Sequence, residues 1–146
     1  MSKRIAIIGG GNLGTAIAEG LLKSKYCKPA DISITKRNVA TLKALQDKGV
    51  HVTDNNSDAV KKSELVILAV KPFQVKDVLA GFQKVLMAKH LLISVVTGVT
   101  IKDIEDIIKK KIPVCRAMPN TAIAIQESMT CLSFNEAAGI HVNVVK

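Results

Sequence analysis

Gly9, Gly11 and Gly14 stand at G-x-G-x-x-G spacing within Ile8-Gly-Gly-Gly-Asn-Leu-Gly14. Glycine weakens strand and helix interiors, so this density signals a task for the backbone itself. The chemistry open to such a segment is holding an anion. The first glycine permits a tight turn, the second lets the backbone approach a pyrophosphate, and the third lets a helix lie close on a strand. A helix over Leu13–Ser24 would then aim its unpaired N–H groups and the positive end of its dipole at the phosphates. A turn that binds nothing is the alternative. The strand-like Ile5–Ile8 before the glycines and the helical pattern after them favour the anion.

A second group of residues bears on which dinucleotide would fit. A site for NAD places an acid at the end of the second strand, where it holds the ribose 2′-hydroxyl. This chain has Thr35-Lys36-Arg37-Asn38 there. A hydroxyl, an ammonium and a guanidinium attract a 2′-phosphate that a carboxylate would repel, and Arg can do so bidentately. These residues therefore predict NADP (NADPH), with NAD possible. Solvated loop charges at Lys36 and Arg37 are the alternative.

A third group lies at later strand ends, where open α/β sheets bind their ligands. These are Val70-Lys71-Pro72, Val96-Thr97-Gly98 and Ala117-Met118-Pro119-Asn120-Thr121. Pro72 disfavours helix at Lys71 and can start the next helix, which holds Lys71 at the sheet edge. Spacing alone also admits an ordinary loop lysine. Gly98 allows close approach of a flat ring, and Asn120 and Thr121 supply neutral hydrogen-bonding groups.

Other chemistries find little support. Cys27, Cys115 and Cys131 are odd in number and widely spaced, and His51, His90 and His141 form no ligand-like spacing with them. Buried reduced thiols and no metal site are expected. The net charge of +9 suggests anionic partners, but the basic residues are scattered apart from Lys61-Lys62 and Lys109-Lys110-Lys111, which read as solvated helix ends. Aromatic content of 3% argues against base-stacking readers of nucleic acid. Glycines interrupt the apolar N-terminal stretch, and no run approaches the ~20 apolar residues of a membrane span. A cytoplasmic protein is expected.

The elements that must position these residues follow from the pattern of apolar runs. At 48% hydrophobic and 23% charged, the 146 residues describe one globular domain. Strands are predicted at Ile5–Ile8, Ile32–Thr35, Val50–Val52, Leu65–Val70, Leu91–Val96 and Val114–Met118. Helices are predicted at Leu13–Ser24, Val39–Lys48, Phe73–Met87 and Ile101–Lys110, the last opened by a capping box in Thr100-Ile-Lys-Asp103. The nearly continuous apolar runs 65–70 and 91–96 are those of strands buried on both faces. Strand–helix alternation of this kind gives an α/β fold, a doubly wound and mostly parallel sheet with helices on both faces. Ser128–Phe134 adds an edge strand, antiparallel in sense.

Taken together, Ile8-Gly-Gly-Gly-Asn-Leu-Gly14, Ala69-Val-Lys-Pro72, Ser94-Val-Val-Thr-Gly-Val99, Arg116-Ala-Met-Pro-Asn-Thr121 and Ser128-Met-Thr-Cys-Leu-Ser133 resemble the pyrroline-5-carboxylate reductase family. The resemblance runs to about residue 137. It implies a Rossmann-like domain over 1–135 and a tail over 136–146, where the family's helical domain would begin. It implies NADPH-dependent reduction of 1-pyrroline-5-carboxylate, a small-molecule substrate, to proline, in a family that is homo-oligomeric. Carried over by residue, Gly11, Asn12 and Leu13 fall around the pyrophosphate, Thr35 and Arg37 at the 2′-phosphate, and Asn56 beside the adenosine. Ala69, Val70, Lys71 and Pro72, with Thr97 and Gly98, fall on the nicotinamide side, and Asn120 and Thr121 border the substrate cleft. No catalytic side chain is assigned, since hydride transfer here requires none.

Two departures matter. Ala122 stands where the family usually has proline, which loosens that loop. The family also continues into a helical domain that forms the dimer and supplies much of the imine site, and 146 residues leave no room for it. Two explanations stay open: an excised cofactor domain, or a product that has lost its catalytic half. Two further readings compete: another NADP-dependent reductase such as a hydroxyacid dehydrogenase relative, and a binding module that holds NADP without catalysis.

Overall fold

The computed structural model describes residues 3–118 and 131–141. Seven strands form one sheet: β1 (Ile5–Ile8), β2 (Ile32–Thr35), β3 (His51–Thr53), β4 (Leu65–Leu68), β5 (Leu91–Ser94), β6 (Val114–Met118) and β7 (Cys131–Phe134). Their order is β3-β2-β1-β4-β5-β6-β7. The first six are parallel, and β7 runs antiparallel to β6 with Cys115 opposite Phe134 and Met118 opposite Cys131. This is the Rossmann-like order, with its reversal between β1 and β4.

Among the described residues five α-helices connect the strands: α1 (Asn12–Lys23), α2 (Lys43–Asp47), α3 (Asn56–Lys61), α4 (Val75–Phe82) and α5 (Ile101–Ile108). The apolar runs divide between two cores by alternation along each strand. Ile5, Ile7, Ile34, Leu65 and Ile67 pack with Ile17 and Ala18 of α1 and with Leu45 of α2. Ala6, Ile8, Val66 and Leu68 pack on the opposite face with Val60 of α3, Leu79 and Phe82 of α4, and Ile104 and Ile108 of α5. Burial of each large side chain contributes roughly 1.5–3 kcal/mol.

β1, β2 and β6 occupy their predicted spans, and the longer predicted runs 65–70 and 91–96 end two residues early. Those extra residues line a cleft, with Ala69 and Val95 still donating to the Ile8 and Leu68 carbonyls. The predicted helix Val39–Lys48 is divided into a single 3-10 turn, Val39–Leu42, followed by α2. Thr41 Oγ1 donates to the Asn38 carbonyl at 2.9 Å, a local bond that competes with the helical ladder. Phe73–Met87 is likewise divided, with 3-10 turns at Pro72–Gln74 and Gln83–Val85 around α4. Helix α3 was not expected. It has only six residues and is fixed by Asn55, whose side chain accepts from the Asp58 N–H at 3.1 Å.

The capping box predicted for α5 is present. Thr100 Oγ1 accepts from the Asp103 N–H at 3.1 Å, and the Thr100 N–H donates to Asp103 Oδ2 at 2.9 Å. Lys110 is more than the solvated helix end expected: Nζ donates to the carbonyls of Gln83, Lys84 and Leu86 at 2.6, 3.3 and 3.1 Å. The edge of the sheet is tied by Asn135. Its Nδ2 donates to Glu105 Oε1 at 2.8 Å and to the Ile112 carbonyl at 2.9 Å, while its Oδ1 accepts from the N–H groups of Val114 and Ala138. Residues 136–141 form a 3-10 segment that returns to the sheet, with Ala138 fully buried.

Candidate nucleotide-binding cleft

The β1–β4 reversal opens a cleft of about 620 Å³ beyond the carboxyl ends of β1 to β5. That size lies within the ~300–1,000 Å³ of small-molecule sites. Its floor is the glycine turn. Gly9 has φ +110°, and a Cβ there would lie 2.5 Å from the Ala69 carbonyl oxygen, so the turn needs glycine for both conformation and space. The Ala69 N–H donates to the Ile8 carbonyl at 2.8 Å, which locks the two strand ends side by side.

Gly14 does its work behind the cleft rather than in it. A Cβ at Gly14 would fall on the Gly9 carbonyl oxygen, so its absence sets how closely α1 lies on β1. Gly11 is different. It is exposed, takes an extended conformation (φ −79°, ψ −163°) and would present a Cβ to open space with nothing within 4 Å. It is also the residue before α1, and no side chain caps that helix start. The first N–H groups of α1 therefore remain available at the cleft floor.

Thr35, Lys36, Arg37 and Asn38 line one end of the cleft, with Asn56 from α3 and Asp54 from the end of β3. Thr35 is only 2% exposed and its Oγ1 accepts from the Gly9 N–H at 3.3 Å. It thus pins β2 to the glycine turn, and the positive charge at this end comes from Lys36 and the exposed Arg37. The other end is walled by Ala69, Val70, Lys71, Pro72, Gln74, Val78, Val95, Val96 and Thr97. Lys71 is exposed, and its N–H donates to Gln74 Oε1 at 3.1 Å, which fixes the backbone of the Lys71-Pro72 turn. Phe73, 81% exposed, follows directly at this rim.

The structure therefore brings Gly9, Gly11, Asn12, Leu13, Thr35, Lys36, Arg37, Asn56, Ala69, Val70, Lys71, Pro72 and Thr97 into one cleft. Gly14 supports it from behind, and Gly98, at φ +75°, is not among the lining residues. Asn120 and Thr121 lie outside the described residues. Sequence reasoning gave no binding role of their own to Ile8, Gly10, Asn38, Asp54, Gln74, Val78, Val95 and Val96, though Asn38 and Val96 stood within the strand-end groups it named. Gly10 stood in plain view within the glycine run, but its packing reason, a Cβ that would lie 2.8 Å from the Leu42 side chain, is a tertiary contact. Asp54 was not legible, because nothing in its local sequence shows that β3 ends beside β2.

Among the described residues, Cys27, Cys115 and His90 stay apart from the cleft. Burial pushes the Cys115 thiol up to about 11 and raises that of Cys27, where the Asp31 carboxylate adds to it. Both are buried and unbridged, so neither is a thiolate near neutrality. His90 is fully buried, with Nδ1 accepting from the Met87 N–H at 2.9 Å and Nε2 lying 3.1 Å from the Val60 carbonyl. That pairing places its proton on Nε2. Among the described residues no group of three or more His, Cys, Asp or Glu could hold a metal ion. Nor, among them, is any helix long and apolar enough to cross a membrane.

A Rossmann-like sheet with a glycine turn at its switch point is the frame shared by nucleotide-dependent oxidoreductases. The chain belongs to the family described as NADP oxidoreductase coenzyme F420-dependent, whose model matches residues 4–98. It is 45% identical over 133 residues to pyrroline-5-carboxylate reductase 1 of Dictyostelium discoideum, covering 91% of this chain and 24% of that protein. It is 39% identical over 135 residues to pyrroline-5-carboxylate reductase 2 of the same organism, covering 90% and 45%. Among solved structures, a pyrroline-5-carboxylate reductase from Coxiella burnetii matches with TM-score 0.92 and 34% identity, over 99% of this chain and 54% of that one. The chain thus spans from about a quarter to about half the length of these relatives.

Proposed function

We propose that this chain is the cofactor-binding part of a pyrroline-5-carboxylate reductase, which reduces 1-pyrroline-5-carboxylate to proline at the expense of NADPH. What carries the choice of reaction is 45% identity, across nearly the whole chain, to a protein of that name. The cleft supports the choice of cofactor, because the open space above Gly11 is the cradle that a pyrophosphate requires. A relative from Plasmodium falciparum with the same fold has been solved with NADP bound, at TM-score 0.82 and 21% identity.

In this reading Gly11 and the first N–H groups of α1 hold the pyrophosphate, while Lys36 and Arg37 hold the 2′-phosphate. Asn56 lies beside the adenosine. Ala69–Pro72 and Val95–Thr97 form the wall on the nicotinamide side, orienting the ring and excluding water from one of its faces. When bound, the cofactor supplies a hydride to the C=N carbon of the cyclic imine. Positioning two reactants can account for ~7–11 kcal/mol of a barrier, so the protein's part is mostly orientation. The substrate is a small carboxylate-bearing imine, the whole enzyme is homo-oligomeric, and its compartment is the cytoplasm.

The test has two arms. Calorimetry on residues 1–146 should show NADPH binding. The full gene product should oxidise NADPH with 1-pyrroline-5-carboxylate and leave NADP unreduced with 2- or 3-hydroxy acids. Turnover of a hydroxy acid alone would move the assignment to a hydroxyacid dehydrogenase relative. Binding without any turnover would leave a cofactor-holding module.

A further inference from the structure

The preference for NADPH was read from the absence of an acid at the end of β2, yet the fold delivers one from the neighbouring strand. Thr35 and Thr53 are in register across β2 and β3, and the Lys36 N–H donates to the Thr53 carbonyl at 3.1 Å. The residues that follow, Lys36-Arg37 on one strand and Asp54 on the other, therefore emerge into the same end of the cleft. Asp54 is exposed and forms no ion pair with Lys36 or Arg37. Nor does it cap α3, because Asn55 fills that role. Asp54 thus stands as a carboxylate in the cleft without a structural task of its own.

We propose that Asp54 sets cofactor discrimination, narrowing the preference for the 2′-phosphorylated dinucleotide so that NADH is also accepted. The inference rests on the reading of the cleft as a dinucleotide site. A carboxylate there accepts hydrogen bonds from the hydroxyl or amino donors of an adenosine. Toward a 2′-phosphate held by Lys36 and Arg37 it offers only repulsion, weakened by the solvent around it. Lys36 and Arg37 decide which cofactor binds more tightly, and Asp54 decides by how much.

The experiment is calorimetric titration of NADPH and NADH into wild type, Asp54→Asn and Asp54→Ala, each checked for native circular dichroism. Both variants should raise the ratio of NADPH to NADH affinity by about three- to tenfold, as expected for one charge removed in a solvated cleft. The gain should shrink in concentrated salt, which a purely structural effect would not do. An unchanged ratio, with both cofactors still bound by the wild type, would overturn the role of Asp54 alone. Failure of the wild type to bind either cofactor would overturn the reading of the cleft, and this inference with it.

Discussion

Helices α1 and α5 both start at the carboxyl edge of the sheet, α1 directly after β1 and α5 after β5, but their first turns are built in opposite ways. Helix α5 is closed: the Thr100 hydroxyl and the Asp103 carboxylate satisfy each other's N–H groups, and those bonds hold the Asp103 carboxyl below its usual range. Helix α1 is open: it starts on bare Gly11, with no side-chain cap and no acid in its first turn. A cap adds stability, roughly 0.5–2 kcal/mol where Ser, Thr or Asp supplies it. Leaving α1 uncapped forgoes that contribution at the place where an anion would supply it. A bare helix start at a switch point is what the proposed binding role requires, and a capped one serves folding.

The largest effect expected from breaking this arrangement is at Gly14. In Gly14→Ala the new methyl meets the Gly9 carbonyl, so α1 must lift from β1, a loss of about 3 kcal/mol in urea denaturation. Next is Arg37→Ala, which in the proposed reading would remove a charged hydrogen bond to the 2′-phosphate. NADPH should bind about tenfold to a hundredfold more weakly, ~1.5–3 kcal/mol, while NADH is unaffected. On the closed side, Thr100→Ala should lower stability by about 1 kcal/mol and leave the NADPH affinity unchanged.

The smallest effect concerns pH. Burial, with a lesser contribution from the Lys89 charge, holds His90 below its usual value against the opposing hydrogen bond from Nε2 to the Val60 carbonyl. The unfolded chain therefore takes up a proton first. Stability from this group is complete above pH ~6.5 and falls as pH drops below that value toward the folded pKa. Denaturation at pH 7.5 and pH 5.5 should show a loss in wild type that is smaller in His90→Gln.

Much of the fold was legible because the strands are doubly buried. Ile5–Ile8 and Val114–Met118 carry apolar side chains to both cores, and such runs bounded by glycine, proline or charge have few other readings. The glycine turn was legible for a related reason: its three positions are set by backbone geometry, which a spacing pattern records directly. The end of the cleft lined by Lys36, Arg37 and Asp54 was legible only in part. Arg37 follows its strand in sequence, whereas Asp54 reaches the same place through β2–β3 pairing, 17 residues later in the chain. Thr35 was expected only at the phosphate; its burial and its bond to the Gly9 N–H, which tie β2 to the glycine turn, depend on tertiary packing that the local sequence does not show. Helix α3 escaped because six residues are too few to show a helical period.

The comparison of the two helix starts is tested most directly by giving α1 the cap it lacks. Gly11 already has extended N-cap geometry and room for a side chain, so Gly11→Asp fits without strain and should raise stability by a few tenths of a kcal/mol, up to about 1. The same carboxylate would occupy the pyrophosphate position with like charge. Calorimetric titration of NADPH into wild type and Gly11→Asp, alongside their thermal melts, is the measurement. The account predicts binding by the wild type and none by a variant that melts at the same or a higher temperature. Equal NADPH affinity in both proteins would contradict it and reduce the glycine run to a turn.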